Sequence, residues 1–253
     1  LGIITAATLK LNPKPKDTYV SLIALNNFDT ALKLYYEIFE KFSSSIQAFE
    51  LMSNNGFEFL DRTNISFVEP FKKRSEWVLL IELAIIDNDH IKEDLQTLLN
   101  EYILKSLIDD VVFAQNEKQK YQFWEIREKI PEANRIIGSI SSHDISLPLS
   151  KLSYFLEKAP EIVKKHNPNL IINCFGHLGD GNLHFNIFPS LGKKREDFDY
   201  LRTNLKTDIY DFVYNLNGSF SAEHGIGKLK VLDLFKYSDK TKIQLMLKIK
   251  EAL

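Results

Sequence analysis

The stretch LIINCFGHLGDGNLHFNIF, residues 170–188, holds two apolar runs separated by a glycine-rich segment. Gly179-Asp180-Gly181-Asn182 is a turn sequence, because glycine and asparagine accept positive φ and aspartate caps its own turn. The pattern predicts a β-hairpin in which these four residues form the loop. In that register His177 faces His184, with Cβ atoms roughly 4.5–5.5 Å apart. Strand alternation places Asn186 on the same side.

Two imidazoles at this spacing can hold one metal ion, but zinc usually takes three protein ligands. The hairpin alone therefore favours two structural histidines over a metal site. A second motif, SAEHGIG at residues 221–227, makes a metal site the more favoured interpretation. Glu223 would complete a site with His177 and His184, and His224 would be a base in the same pocket. Taken by itself, this motif is more typical of a polar loop.

A third candidate is FWEIREKI at residues 123–130. Trp124 and Arg127 are three residues apart and share a face of the predicted helix. An arginine beside an aromatic wall suits bidentate binding of a carboxylate. The competing interpretation is an arginine on a solvated helix face, which is the more common case.

Outward from the hairpin, apolar runs alternate with segments of helical periodicity. The other predicted strands are Ile4–Leu11, Tyr19–Leu25, Ser45–Met52, Glu76–Ala84, Asp110–Ala114 and His143–Pro148. The predicted helices are Asn27–Phe42, His90–Leu104, Glu117–Ile136 with a kink or end at Pro131, Ser153–His166, Arg195–Leu216 and a last one from Thr241. The pattern predicts an α+β fold: an antiparallel sheet with helices mainly on one face, built from ferredoxin-like halves.

Composition excludes several classes of protein. The 253 residues carry a formal net charge of −2, which gives no electrostatic footprint for nucleic acid. A single cysteine, Cys174, rules out an internal disulfide and favours a reducing compartment. No apolar run reaches the ~18 residues of a membrane span.

Both ends of the chain suggest a piece of a longer protein. The first residue is not Met, and the last residues stop within a helical pattern. We expect residues 1–18 to be the tail of a preceding domain or a linker, and residues 19–240 to form a substrate- and metal-binding domain. Residues 241–253 are expected to begin a further helical segment.

The motifs carry a family resemblance. GHLGDGNLHFN (176–186) and NGSFSAEHGIGK (217–228) resemble the two signatures of the C-terminal, substrate-side domain of FAD-linked D-2-hydroxyacid dehydrogenases. These flavoproteins of the vanillyl-alcohol-oxidase type include D-lactate and D-2-hydroxyglutarate dehydrogenases. LGIITAATLKLNPKPK (1–16), WEIRE (124–128) and SSHDISLPLSKL (141–152) resemble the same domain, in the expected order. The resemblance implies the fold of the FAD-linked oxidase C-terminal domain.

The resemblance implies a role for each candidate residue. The metal ligands would be His177, His184 and Glu223, with zinc the common metal, and His224 would take the proton of the substrate hydroxyl. Arg127 and Asn186 would bind the substrate carboxylate, and His143 is a further candidate for the substrate site. The residues expected beside the flavin are Glu223, His224 and Gly225.

The resemblance also implies partners: a small 2-hydroxy acid, the protein's own FAD-binding domain and an electron acceptor of unknown kind. It leaves a homodimer open, and it implies a cytoplasmic protein, or a mitochondrial one in a eukaryote. We expect the chain to be inactive without the FAD-binding domain. Pro131 and Ser142 stand where the hydroxyglutarate type carries a hydroxylated and a basic residue. This weakens the case for a dicarboxylate, although Arg135 or His143 can compensate.

Two other functions remain open from the residues alone. A metal-dependent hydrolase could use the same three ligands, with His224 as base. A non-catalytic ferredoxin-like binding module would have structural histidines and no metal.

Overall fold

Seven strands of the described residues form one sheet. The computed structural model describes residues 2–11, 14–86 and 90–252. Its strands are β1 (Asp17–Leu25), β2 (Ile46–Ser53), β3 (Trp77–Ile85), β4 (Asp110–Phe113), β5 (Ser141–Ser146), β6 (Ile171–His177) and β7 (Asn182–Phe188). They lie in the order β4-β1-β3-β2-β6-β7-β5, and every neighbouring pair is antiparallel. The predicted α+β class with an antiparallel sheet is confirmed.

Helices connect these strands and follow the last one. They are α1 (Phe28–Phe42), α2 (Asn54–Arg62), α3 (Ile91–Leu104), α4 (Glu117–Ile137), α5 (Leu149–His166), α6 (Arg202–Asn215), α7 (Val231–Tyr237) and α8 (Lys240–Ala252), with 3₁₀ segments at Leu178–Asp180 and Arg195–Leu201. Side-chain caps fix two of the starts. Asn27 accepts a hydrogen bond from the backbone of Asp29 at 2.8 Å, and Asn116 accepts one from Gln119 at 3.0 Å.

The two halves of the sheet are unequal. The first half follows the chain order β1-α1-β2-β3-α3-β4 and the sheet order β4-β1-β3-β2, which is a complete ferredoxin-like unit with α2 inserted. The second half has three strands, β5, β6 and β7, with α5 between the first two and α6 after the last. Pairing of β2 with β6 joins the halves and sets Glu50 opposite His177.

Each face of the sheet has its own hydrophobic layer. On one face α1, α3, α5 and α6 bury residues such as Leu34, Leu95, Phe155 and Leu205. On the other face α2 and α4 pack, through residues such as Phe57, Phe59, Phe123 and Ile126. Of these six helices, four lie on one face, in agreement with the prediction that the helices pack mainly on one face. On the second face, beyond α4, residues of β5, β6 and β7 border a cavity.

Some predicted elements are wrong. Residues 2–11 form neither helix nor strand, and Ile4 is 88% exposed, because the described chain offers this segment no strand partner. Pro131 does not end α4, which continues to Ile137, and the alternative of a kink there stays a prediction. The predicted helix Arg195–Leu216 begins as a 3₁₀ segment.

Two short helices, α2 and α7, were not predicted. The α2 sequence NNGFEFLDR has weak helix formers in its first turn. It is helical because Phe57, Phe59 and Leu60 are buried in the layer shared with α4. The predicted terminal segments 1–18 and 241–253 each include residues outside the described ranges, and their boundaries remain predictions.

Among the described residues, no helix combines the length and apolar character required to cross a membrane.

Candidate functional site

One face of the second half-sheet carries most of the candidate residues. Because side chains alternate along a strand, the candidate residues share this face with several neighbours that the sequence analysis did not single out. The side chains concerned are Glu50 of β2, Phe175 and His177 of β6, His184 and Asn186 of β7, and Ser142 and Asp144 of β5. Apart from Glu50, these residues line a cavity of about 640 Å³ together with the second half of α4, Arg195 and the segment 223–230.

The hairpin exists, but its predicted register is wrong. Phe175, not His177, lies opposite His184. The turn is Leu178–Asp180 in 3₁₀ conformation followed by Gly181 at φ +66°, and β7 begins at Asn182. The shift is two residues, an even number, so His177 and His184 still share a face. Their ring centroids are 6.0 Å apart.

The segment that carries Glu223 and His224 is fastened to β5. Oδ2 of Asp144 accepts hydrogen bonds from the backbone N–H groups of Glu223 at 3.0 Å and His224 at 2.8 Å. Oδ1 accepts another from Asn182 at 3.0 Å. Burial acts to raise the pKa of Asp144, but these hydrogen bonds outweigh burial and hold the pKa below its ordinary value. Asp144 thereby places both motif residues over the hairpin.

The predicted metal ligands converge. Glu223 Oε1 lies 3.3 Å from His184 Nε2, and Glu223 Oε2 lies 3.7 Å from His177 Nε2. Ligand atoms in a tetrahedral zinc site are roughly 3.3 Å apart when the metal–ligand bonds are about 2.0–2.1 Å. The spacing of Glu223 Oε1 and His184 Nε2 therefore fits a zinc-sized divalent ion, whereas His177 is not among the four described residues whose ligand atoms all lie within 4.8 Å of one another.

His184 has the electrostatics of a metal ligand. Burial, followed by the charge of Arg127, lowers its pKa to about 4 against the opposing effect of Glu223 and Asp144. The ring is therefore neutral near pH 7, with a nitrogen lone pair to donate.

His224 lies in the same cavity as the metal group. Its ring stacks on His184 at 5.5 Å with an interplanar angle of 18°. Its Nε2 is 3.7 Å from Glu223 Oε1, and its Nδ1 is 3.8 Å from Asp144 Oδ2. Asp144, His184, Glu223 and His224 each have a ligand atom within 4.8 Å of those of the others, so His224 is near enough to be a ligand as well as a base.

Arg127 lies at the cavity wall, but against a different ring from the one predicted. Its guanidinium stacks over Phe175 at 4.7 Å, whereas Trp124 points to Glu82 and donates to it at 2.7 Å. Arg127 Nε donates to Glu50 at 2.9 Å. Asn186, 8% exposed, also lines the cavity.

Two residues of the site were missed by sequence reasoning, Glu50 and Asp144. Glu50 had a signal: a carboxylate in the middle of the apolar strand AFELM, where burial requires a partner. Asp144 had a weaker one, as an acidic residue next to His143 in a predicted strand.

His143 is among the residues that border the cavity, but its ring does not join the other candidate side chains. Its side chain is 1% exposed and lies on the opposite face, where it packs against Tyr210 and Phe185. Nδ1–H donates to the Phe185 carbonyl at 2.7 Å, and Ser141 bonds to Nε2 at 3.0 Å. Strand alternation gives His143 this position because its neighbours Ser142 and Asp144 face the cavity.

Residues 14–253 match the family model of FAD linked oxidases, C-terminal domain. The chain belongs to this family. As an FAD-linked oxidase C-terminal domain, it is 29% identical over 253 residues to the mitochondrial D-2-hydroxyglutarate dehydrogenase of Arabidopsis thaliana, covering 100% of this chain and 44% of that protein. It is 30% identical over 261 residues to a mitochondrial protein of Schizosaccharomyces pombe provisionally named a D-lactate dehydrogenase, covering 100% and 48%.

A bacterial relative, the D-2-hydroxyglutarate dehydrogenase of Stutzerimonas stutzeri, is 29% identical over 244 residues, which cover 94% of the chain and 50% of the relative. The chain thus spans about half the length of these relatives. Among solved structures, 4-ethylphenol oxidase from Gulosibacter chungangensis superposes with a TM-score of 0.57 at 10% identity, over 97% of this chain and 53% of that one. At such identity the likeness concerns the fold alone.

Proposed function

We propose that this chain is the substrate- and metal-binding part of an FAD-dependent dehydrogenase that oxidises a D-2-hydroxy acid to the 2-oxo acid. The observation that carries the proposal is the meeting of His177, His184, Glu223 and His224 in one cavity with Arg127. A 2-hydroxy acid has a hydroxyl and a carboxylate on adjacent carbons. For the hydroxyl, the cavity offers the proposed metal ligands and the base His224. For the carboxylate, it offers the guanidinium of Arg127.

At the hydroxyl end, His177, His184 and Glu223 would hold a divalent metal, with zinc suited to the nitrogen and oxygen donors. Such an ion, when bound, acts as a Lewis acid that favours loss of the hydroxyl proton.

His224 accepts the hydroxyl proton in this proposal. Its ring is 61% exposed, so it is open to a substrate that enters the cavity. Glu223 and Asp144 lie 3.7 Å and 3.8 Å from its two nitrogens and offset the charge that the imidazole gains. Asp144 also holds the backbone of His224 in place, so the base keeps a fixed position relative to His184.

At the carboxylate end, Arg127 and Asn186 bind the substrate. Because the pair with Glu50 uses Nε of Arg127, the terminal nitrogens are the donors that a carboxylate in the cavity would meet. A bidentate pair of this kind fixes the orientation of the acid as well as binding it.

FAD, held mainly by the part of the flavoprotein outside this chain, supplies the acceptor for the hydride from C2 when it is bound. The residues proposed beside it, Glu223, His224 and Gly225, are exposed. Gly225, at φ +68°, has open space where a Cβ would be, so this rim of the cavity can receive a planar ring.

The test is anaerobic flavin reduction by the whole flavoprotein, mixed with D-lactate or D-2-hydroxyglutarate. We expect bleaching of the flavin by at least one of them. His224→Gln should slow bleaching by about 10²–10⁴-fold, the usual contribution of a general base, with metal content unchanged. His166→Gln is the matched control, since His166 pairs with Asp208 at 2.7 Å outside the cavity. Hydrolytic activity without flavin reduction would instead support the metal-hydrolase alternative.

A further inference from the structure

We propose that Glu50 is a positioning residue that fixes the spacing between the metal ligand His177 and the carboxylate anchor Arg127. The inference rests on the proposed function and adds to it a residue outside both sequence motifs. Glu50 touches neither the substrate nor the metal in this proposal. It acts through the two side chains that do.

The geometry of Glu50 is that of a bridge. One carboxylate oxygen, Oε1, accepts a hydrogen bond from His177 Nδ1 at 2.6 Å. The other, Oε2, accepts one from Arg127 Nε at 2.9 Å. Glu50 is 4% exposed, so water does not compete for either oxygen. Charge-assisted hydrogen bonds of this length are strong and directional.

On the His177 side, the bridge selects a tautomer. A carboxylate paired with a guanidinium accepts hydrogen bonds, so the proton of a neutral His177 ring must be on Nδ1. The Nε2 lone pair then points toward Glu223, which lies 3.7 Å away on the metal side. Carboxylates that orient metal-binding histidines in this way typically strengthen metal binding by 10–100-fold.

On the Arg127 side, the bridge fixes the plane of the guanidinium. Glu50 holds Nε while Phe175 stacks against the guanidinium at 4.7 Å. The ring and the carboxylate together leave Arg127 little freedom to rotate.

The position of Glu50 in the fold makes one residue responsible for both orientations. Glu50 belongs to β2 of the first half, while His177 belongs to β6 of the second, directly opposite it. Arg127 reaches the same carboxylate from α4. The hydroxyl and carboxylate of a 2-hydroxy acid are separated by one carbon–carbon bond. A shift of about 1 Å between their two anchors is enough to cost a large factor in rate.

The experiment compares Glu50→Gln with Glu82→Gln. Glu82 is a carboxylate on the same face of neighbouring β3 that also accepts from an α4 side chain, Trp124, but it has no contact with the site. In zinc titrations of the 253-residue chain, Glu50→Gln should weaken binding by 10–100-fold. In the whole flavoprotein it should raise the KM for the 2-hydroxy acid by at least about 10-fold. Glu82→Gln should change neither.

A readout without metal or turnover keeps this inference separate from the proposed function. ¹⁵N NMR of the metal-free chain should find His177 protonated on Nδ1 in the wild type, with that preference lost in Glu50→Gln. Protonation on Nε2 in the wild type would overturn the inference even if the enzyme proved to be a hydroxyacid dehydrogenase. Conversely, the Nδ1 tautomer with no flavin reduction would leave the inference standing and the proposed function refuted.

Unchanged zinc affinity and KM in a folded Glu50→Gln protein would also overturn the inference. If that variant failed to fold, Glu50→Asp would replace it, because it keeps the charge and withdraws the carboxylate by one methylene. It should then show the same joint loss of zinc affinity and rise in KM. If both the zinc affinity and the KM of Glu50→Asp stayed at the wild-type values, the proposed bridge would be contradicted.

Discussion

The two hairpin histidines have the same residue type but different surroundings. His184 has a side chain only 12% exposed, and burial with Arg127 nearby keeps it neutral. His177 is 36% exposed and is held by a single strong hydrogen bond to Glu50. In the proposed metal site, desolvation would prepare one ligand and orientation the other, and both rings have Nε2 near the carboxylate of Glu223.

A metal measurement tests this arrangement at the residue scale. The purified chain should contain about one zinc-sized ion, as a single set of three protein ligands implies. His177→Ala/His184→Ala should sharply lower the metal content, because it removes both nitrogen ligands of the proposed set. His166→Ala should leave the content unchanged. Equal metal in the double variant and the control would rule out the hairpin as the metal site.

The buried His143 should make stability depend on pH. Burial lowers its pKa to about 4, whereas the ring in the unfolded chain has the ordinary value of about 6.5. As pH falls below 6.5, the unfolded chain takes up the proton first, so the folded state loses stability until about pH 4. The shift corresponds to about 3 kcal/mol at most.

The measurement for His143 is the free energy of unfolding in urea between pH 7.5 and 4.5. The wild type should lose stability over this range more steeply than His143→Asn, whose side chain does not titrate. Parallel curves for the two proteins would contradict the account.

At the scale of elements, the hairpin turn is fixed by its contact with β5 as much as by its own residues. Gly181 has φ +66°, and a Cβ there would overlap the carbonyl oxygen of Leu147. The backbone of Leu147 in turn donates to the Gly181 carbonyl at 3.0 Å. This contact ties the end of β5 to the turn that positions both histidines.

Gly181→Ala should therefore destabilise the chain by about 3 kcal/mol, from the left-handed conformation and from overpacking together. Gly192→Ala is a matched control, because φ is +74° there but the space around a Cβ is open. It should cost only about 1 kcal/mol. Urea unfolding of both variants gives the comparison, and equal losses would show that the Leu147 contact does not matter.

At the scale of the whole molecule, the cavity lies where the halves of the sheet meet α4 and the 223–230 segment. Besides Arg127, its lining includes Arg135 and Arg195. Arg135 is exposed and Arg195 is partly exposed, and among the described residues their ion pairs with acidic neighbours are long, at 4.0 Å. Both guanidinium groups offer positive charge for a second carboxylate, whereas the side chains of Pro131 and Ser142 carry no charge.

We accordingly predict that Arg195→Gln raises the KM of the whole flavoprotein for D-2-hydroxyglutarate by at least about 10-fold and that for D-lactate by less than about twofold. The loss follows from removing a charged hydrogen-bond donor to a carboxylate. Arg202→Gln, an exposed change in α6 away from the cavity lining, is the control. Equal effects on both substrates would argue that Arg195 does not contact a second carboxylate.

The sequence by itself determined the antiparallel α+β class, the hairpin, and the identity of the ligands His177, His184 and Glu223 as candidates. These follow from local features: turn residues, alternation with a period of two, and motifs of a few adjacent residues. Parity explains why the shared face of His177 and His184 was correct although their register was not.

Only the tertiary structure decided which residues meet across strands. The partner of His177 is Glu50, 127 positions away in the sequence, and the anchor of Glu223 and His224 is Asp144, about 80 positions away. His143 faces the core and Trp124 points away from Arg127 for the same reason. Strand register and the packing of α4 are set by burial over the whole sheet, and no short stretch of sequence contains that information.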